Sequence, residues 1–274
     1  MKTRIRLVRF WAWLSFGLTA GVILFLFLYI LVRGAGAISW QFLTDIPRGM
    51  VIGTEGGIAP AIVGSLYYTL IACAFASLLG IGAAIYQVFY CRSKKLSDAI
   101  GLAMRCMAGV PSIVLGLFGY SLLVLALGWG KCILAGGVTQ GIMILPFIQV
   151  RAEKALRETD RRLALSSYAL GVSRSYTIRK VVLPQCLPQL VSAVILGGCY
   201  AMGAAAPLIF TGAVIMSRVP KSLMKPAMAL PYHLYMLLTQ GTSSQNAYGT
   251  AFVLMAVVLV TNTAAIFFTR RKNR

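Results

Sequence analysis

The sequence predicts an all-α integral membrane protein with six transmembrane helices and both termini in the cytoplasm. Of its 274 residues, 59% are hydrophobic and only 12% are charged, and the mean hydropathy is +0.81. A soluble domain carries roughly 25% charged residues. The 26 basic residues outnumber the 6 acidic ones, but they stand in short clusters between long uncharged runs. This pattern is typical of membrane topology and argues against nucleic-acid binding.

Six stretches are long and apolar enough to cross a bilayer, which takes about 20 mostly apolar residues. The predicted spans are residues 10–32, 60–91, 106–130, 132–150, 185–217 and 248–268. The first follows four basic residues, as a signal peptide does, but its apolar core exceeds the roughly 7–15 residues of that class. Pro226, Pro231 and the polar run before Tyr248 predict a loop with short helices ahead of the sixth span.

The distribution of lysine and arginine predicts the orientation. Twenty of the 26 lie before the first span, between spans two and three, between spans four and five, or after the sixth span. The other six lie in the alternate loops. Because basic loops stay in the cytoplasm, both termini are predicted to face inward.

Several chemistries lack the residues that they need. The six cysteines are scattered without a C-x-x-C pair, and His233 is the single histidine, so we predict no metal site. Gly130-Lys131-Cys132 lacks the upstream glycine and the Ser or Thr of a nucleotide-binding loop. The six predicted spans hold no charged residue, which argues against a proton relay. We therefore expect no enzymatic activity in this chain.

The cytoplasmic loop at residues 151–183 has the pattern of two short helices. Thr159 or Asp160 can cap the first helix, Gly171 can end it, and Ser173 can cap the second. An apolar stripe on such a loop suits a groove on a partner protein. The alternative is a solvated basic loop that only satisfies the topology rule.

The residues of this loop resemble the cytoplasmic coupling loop of ABC-importer permeases, the EAA loop. The likeness lies in Tyr168-Ala169-Leu170-Gly171 and in the stretch from Thr177 to Pro184. Further stretches at 57–66, 111–119 and 203–211 resemble the phosphate-importer permeases of PstA type. The resemblance implies a type I ABC-importer permease fold over most of the chain from Gly57 onward. It assigns contacts with the ATPase to Tyr168, Ala169, Leu170, Gly171, Arg174, Leu183 and Pro184.

The resemblance also implies partners and a location. The chain would work in the bacterial cytoplasmic (inner) membrane, in contact with lipid. Its partners would be a second permease subunit, cytosolic subunits that bind ATP and Mg, and an extracytoplasmic phosphate-binding protein. This chain itself would hold no cofactor. The alternatives are a permease for another small solute and a non-transporting scaffold that keeps the docking loop.

Three departures from the family pattern concern polar positions. Leu165 stands where the loop usually carries Glu, while Tyr200 and Ala204 stand where the pattern Arg-x-x-Gly-Glu-Thr-Ala-Pro has Arg and Glu. The Thr of that pattern is alanine as well. We therefore expect the strong contacts with phosphate to lie in the partner subunits.

Weaker guidance for an anion is expected from hydroxyls, backbone amides and a helical break in this chain. The candidate pathway residues are Ser65, Thr69, Pro111, Ser112, Tyr200, Gly203 and Thr211. For each hydroxyl the alternative is a hydrogen bond to neighbouring helix backbone.

Overall fold

The structure, a computed structural model, describes residues 2–49, 53, 55–158, 166, 167 and 169–271. The helices are α1 (Lys2–Ala35), α2 (Trp40–Thr44), α3 (Ala59–Ile85), α4 (Lys94–Ala108), α5 (Ser112–Gly119), α6 (Ile133–Glu158), α7 (Arg174–Thr177), α8 (Leu183–Met202), α9 (Ala206–Thr211), α10 (Leu230–Gln240) and α11 (Ser244–Arg271). Wider π-helical turns extend α3 over Tyr86–Tyr90 and α5 over Tyr120–Ala126, and another joins α7 to α8 over Ile178–Val182.

The helical membrane architecture is confirmed. Within the described residues five helical runs are long and apolar enough to cross a membrane: Arg9–Ala35, Ala59–Tyr90, Ile133–Glu158, Arg174–Met202 and Ser244–Phe267. A sixth candidate consists of two helical pieces, Lys94–Ala108 and Ser112–Ala126, which meet at an angle of 99°.

The structure differs from the predicted third span, residues 106–130, in where its helices begin and end. Ser93 caps α4 by accepting a hydrogen bond from the amide of Leu96, and that helix ends at Gly109. Pro111 then caps α5, because proline lacks an amide hydrogen and disfavours helical backbone at the residue before it. The helical break predicted at Pro111-Ser112 is therefore present, and the predicted start of the span at residue 106 falls in the last turn of α4.

Two further boundaries differ from the prediction. Helix α6 continues to Glu158, past residue 150, and pairs Glu153 with Arg157 (2.9 Å) and Lys154 with Glu158 (3.7 Å) at helical spacing. Helix α8 ends at Met202, whereas the predicted fifth span continues to residue 217. The chain turns at Gly203, before α9. The short helix expected before the last span is present as α10.

Helix α6 forms the centre of the molecule and packs most extensively on α3. Glycines make this close approach possible. A Cβ atom on Gly137 would lie 2.6 Å from the side chain of Ile71, and one on Gly141 would lie 2.8 Å from Phe75. By contrast, α1 packs mainly against α11, where the hydroxyl oxygens of Tyr29 and Tyr248 lie 3.3 Å apart. Most of the described α1 side chains are therefore available to lipid.

The non-helical segment 212–229 closes one end of the α3–α6 pair. Its carbonyl groups at Leu223 and Lys225 accept the first amides of α6. The Tyr68 hydroxyl lies 3.3 Å from both the amide and the carbonyl of Ala227. A side chain at Gly64 would overlap the carbonyl oxygen of Met228. This packing leaves the opposite end of α6 to carry the predicted coupling loop.

Candidate functional site

The predicted coupling loop is shorter than its sequence suggested. Its first eight residues continue α6 to Glu158, and residues from Arg174 onward already belong to the helical run that ends at Met202. We call the segment from Ser166 to Val182 the docking arm. Thr159, Asp160, Leu165 and Tyr168, to which the sequence assigns caps or contacts, lie outside the described residues.

Gly171 turns the docking arm. Its φ of 74° lies in the left-handed region that glycine adopts without strain. On the N-terminal side, the amide of Leu170 donates to the carbonyl of Ser166 at 3.2 Å. On the C-terminal side, the Ser173 hydroxyl accepts the amide of Tyr176 and caps α7. The predicted turn at Gly171 and cap at Ser173 are therefore both confirmed.

The far side of the docking arm is anchored, and its tip is exposed. Thr177 and Ile178 are buried, and the arm leads into an apolar cluster of Val182, Cys186 and Leu156. Leu170, by contrast, is 82% exposed, and the chain around it offers Ala169 and Tyr176 to the surface. An exposed apolar side chain on a turn whose following residues are buried suits a partner surface.

Three more of the predicted contact residues lie at the base of the docking arm. Arg174 is exposed, and its guanidinium stands over the ring of Tyr90 at 5.2 Å. Leu183 is half-buried in the apolar cluster, while Pro184 is exposed beside it. These residues position the arm against the end of α3.

Two of the predicted pathway residues meet in one cavity. An open cavity of about 430 Å³ lies between α4, the start of α5, α6 and α8, and Ser112 and Tyr200 both line it. Pro111 forms the neighbouring cap of α5. The side chain of Tyr200 is 57% exposed on the surface of α8.

Two arginines line the same cavity, although the sequence pattern places no fixed cation beside Ser112 and Tyr200. Arg105 lies near the end of α4, and Arg151 lies on α6. The guanidinium of Arg151 stands over the ring of Phe147, another lining residue, at 4.5 Å. In the sequence both arginines indicate only topology, and the packing of α4 on α6 brings them to one cavity.

The other candidate hydroxyls lie in the interior, away from this cavity. The Ser65 hydroxyl accepts the amide of Leu230 at 2.7 Å, and the Thr211 hydroxyl donates to the carbonyl of Pro207 at 2.7 Å. These two are engaged with backbone, in agreement with the alternative interpretation. Thr69 is buried against Gly198, and its hydroxyl has no hydrogen-bond partner within the described residues.

Gly203 marks the end of α8, where a buried glutamine holds the turn. The side-chain amide of Gln140, on α6, donates to the carbonyls of Ala201 (2.9 Å) and Ala204 (3.1 Å). Gln140 is only 1% exposed. Carbonyls at a helix end need such partners. The sequence reasoning missed this residue, although a glutamine in an apolar span is itself a signal.

A second buried glutamine, Gln149, connects α6 to the extension of α3 and, through it, to α4. Gln149 on α6 donates to the Gln87 side chain (2.7 Å) and to Glu153 (3.3 Å), while Gln87 donates to the carbonyl of Ser97 (3.0 Å). Arg157 in turn donates to Glu153. This network joins the end of α3, α4 and α6.

Comparisons with known proteins agree with this architecture. Residues 76–274 match the family model described as "Binding-protein-dependent transport system inner membrane component". The chain is 32% identical over 269 residues to the probable ABC transporter permease protein YqgI of Bacillus subtilis, covering 91% of each chain. It is 29% identical over 218 residues to the probable phosphate transport system permease protein PstA of Methanocaldococcus jannaschii, covering 77% of each.

Solved structures of importer permeases share the fold. A structure of the MetNI methionine ABC transporter in an inward-facing conformation superposes with a TM-score of 0.66 at 20% identity, over 78% of this chain and 95% of that one. A bacterial ABC transporter that imports alginate gives a TM-score of 0.63 at 13% identity, over 94% and 96%. The chain therefore belongs to the family of binding-protein-dependent transport system inner membrane components, as a multi-pass permease subunit of an ABC importer.

Proposed function

We propose that this chain imports inorganic phosphate as one of two permease subunits of an ATP-driven transporter. Relatives named as phosphate permeases support the choice of cargo, including the archaeal PstA at 29% identity. The observation that carries the proposal is the anchored docking arm with its exposed Leu170. In the assembled importer a cytosolic subunit binds ATP and Mg, and an extracytoplasmic protein delivers phosphate.

A continuous helical run connects the docking arm to the cavity. Residues Arg174–Met202 form 29 residues without a break, which at about 1.5 Å per residue extends roughly 43 Å. Tyr200, which lines the cavity, lies near the far end of this run. A movement of the arm on an ATPase subunit therefore shifts a wall of the cavity directly.

The surface beside the cavity supports a second permease subunit as partner. Ile113, Val114, Leu117 and Phe118 on α5 are all between 40% and 50% exposed. Their apolar side chains suit a neighbouring membrane helix. A partner packed there would close the open side of the cavity.

Phosphate uptake tests the proposal. We expect ATP-dependent uptake of radiolabelled phosphate by proteoliposomes that contain the whole transporter, and none when this chain alone is omitted. If sulfate or another solute were taken up as well as phosphate, phosphate would not be the specific cargo, and the proposal would be contradicted. Assembly with the ATPase but no uptake of any tested solute would favour the non-transporting scaffold.

The orientation gives a separate prediction. Ser166 and Ser244 are both exposed in the structure, and the basic-residue count places Ser166 inside the cell and Ser244 outside. In a cysteine-free variant, an impermeant thiol reagent applied to intact cells should therefore modify Ser244→Cys and spare Ser166→Cys. The reverse labelling would contradict both the orientation and the role of the docking arm.

A further inference from the structure

The cavity combines groups that bind a tetrahedral oxyanion. Arg105 and Arg151 supply two guanidinium groups, Ser112 and Tyr200 supply hydroxyls, and all four line one cavity. Its volume of about 430 Å³ lies within the range of small-ligand sites. Guanidinium groups match phosphate oxygens in geometry and keep their charge at any physiological pH.

We propose that Arg105 and Arg151 form a phosphate-binding site in the translocation pathway. This inference rests on the proposed function and adds to it the residues of this chain that receive the cargo. Ser112 and Tyr200 donate hydrogen bonds to the same anion. The site compensates for Tyr200 and Ala204, which carry no charge where related permeases are expected to have Arg and Glu.

The charges of the two arginines are not used elsewhere in the described part of the chain. Its ion pairs are Arg48 with Asp45, Lys154 with Glu158, and Arg157 with Glu153. Glu153, the acidic residue closest in sequence to Arg151, is thus engaged by Arg157 at 2.9 Å. Arg151 instead packs on Phe147, which holds its guanidinium at the cavity wall.

The position of the two side chains fits the passage of an anion. Arg105 lies in the last turn of α4, next to α5, Arg151 lies on α6, and both are exposed. An anion crossing an apolar passage loses much of its hydration, and fixed cations along the passage offset part of that loss. The partial positive charge at the start of α5, next to Ser112, adds to this field.

A lipid headgroup presents the same phosphate chemistry, so that the experiment must separate a free ion from a headgroup. In the assembled transporter we would measure phosphate uptake by the wild type, by Arg105→Gln and Arg151→Gln singly and together, and by the corresponding lysine variants. Arg92→Gln is the matched control, because Arg92 is a basic residue on the same predicted side that does not line the cavity. Each protein is tested in vesicles of phosphatidylcholine alone and in vesicles that also contain phosphatidylglycerol.

We expect the double glutamine variant to lose roughly tenfold or more of the uptake in both types of vesicle, as loss of two charged hydrogen-bond donors to the anion would predict. The lysine variants should retain more activity than the glutamine variants, and Arg92→Gln should match the wild type. A defect seen only with phosphatidylglycerol would identify a headgroup anchor and overturn the proposal. An equal defect in Arg92→Gln, or normal uptake in the double variant, would overturn it as well.

A binding measurement separates this proposal from the proposed function. In a cysteine-free transporter, phosphate should slow modification of Ser112→Cys by a small thiol reagent, and chloride should not. The double glutamine substitution should remove this protection. Protection in a transporter that fails to import phosphate would refute the proposed cargo and keep the anion site. Import without protection would refute the site and keep the cargo.

Discussion

Replacing Gly171 with valine is expected to reduce ATP-dependent phosphate uptake by roughly tenfold while the chain still inserts and assembles. The backbone at Gly171 has a φ of 74°, which costs L-residues about 1–2 kcal/mol and a β-branched residue still more. A Cβ atom at this position would have no other heavy atom within 4 Å, so that crowding plays no part. The strain is relieved when the turn opens, and this re-aims Leu170 away from the ATPase subunit. Uptake and ATPase stimulation are measured at matched expression.

Two control variants isolate the backbone conformation at this turn. Gly171→Asn should retain most of the activity, because asparagine tolerates the left-handed region. Gly241→Val introduces the same strain at the end of α10, where φ is 64° and nothing lies within 4 Å of a Cβ. That variant should keep the phosphate uptake and the ATPase stimulation of the wild type. Normal uptake in Gly171→Val would show that the loop only anchors the topology.

Replacing Gln140 with leucine is expected to destabilise the turn between α8 and α9 by about 1–3 kcal/mol. Leucine has a similar size but cannot donate to the carbonyls of Ala201 and Ala204, which Gln140 reaches at 2.9 and 3.1 Å. Because Ala201 is buried, water cannot freely replace the donor to its carbonyl, and the partly buried carbonyl of Ala204 loses its donor as well. We expect a lower melting temperature of the purified transporter and a lower uptake.

An exposed glutamine provides the matched control for this effect. Gln185 is exposed on α8, the helix whose end Gln140 contacts, and Gln185→Leu should leave the melting temperature close to that of the wild type. If Gln140→Leu were equally stable, the two hydrogen bonds would contribute nothing to the turn. The role of Gln140 at Gly203 would then be refuted.

Composition and local signals predict the membrane class and several turns. Long uncharged runs predict the apolar helices, and Ser173 and Gly171 mark the cap and the turn of the docking arm. These features depend on a few neighbouring residues, which is why sequence reasoning finds them. The helix ends are less predictable. Helix α6 continues eight residues further, to Glu158, with Leu156 buried in the apolar cluster, and the bend of 99° divides the third span.

The candidate site depends on contacts between distant segments, which the sequence pattern does not contain. Ser112 and Tyr200 are predicted pathway residues and do share a cavity, but Ser65 and Thr211 are engaged with backbone groups. Arg105 and Arg151 indicate only topology in the sequence, because each borders a predicted span in a stretch with other basic residues. Only the packing of α4 on α6 places both along one cavity.

Cross-linking from Leu170 tests the central claim, that this permease subunit couples to a cytosolic ATPase through its docking arm. In a cysteine-free transporter, Leu170→Cys carries a thiol–amine cross-linker, and Leu238→Cys is the control, since both side chains are well exposed, at 82% and 63%. We predict a covalent product between the ATPase subunit and the chain labelled at residue 170, with none from residue 238. A product from residue 238 alone, or none from residue 170 in a transporter active in uptake, would contradict the claim.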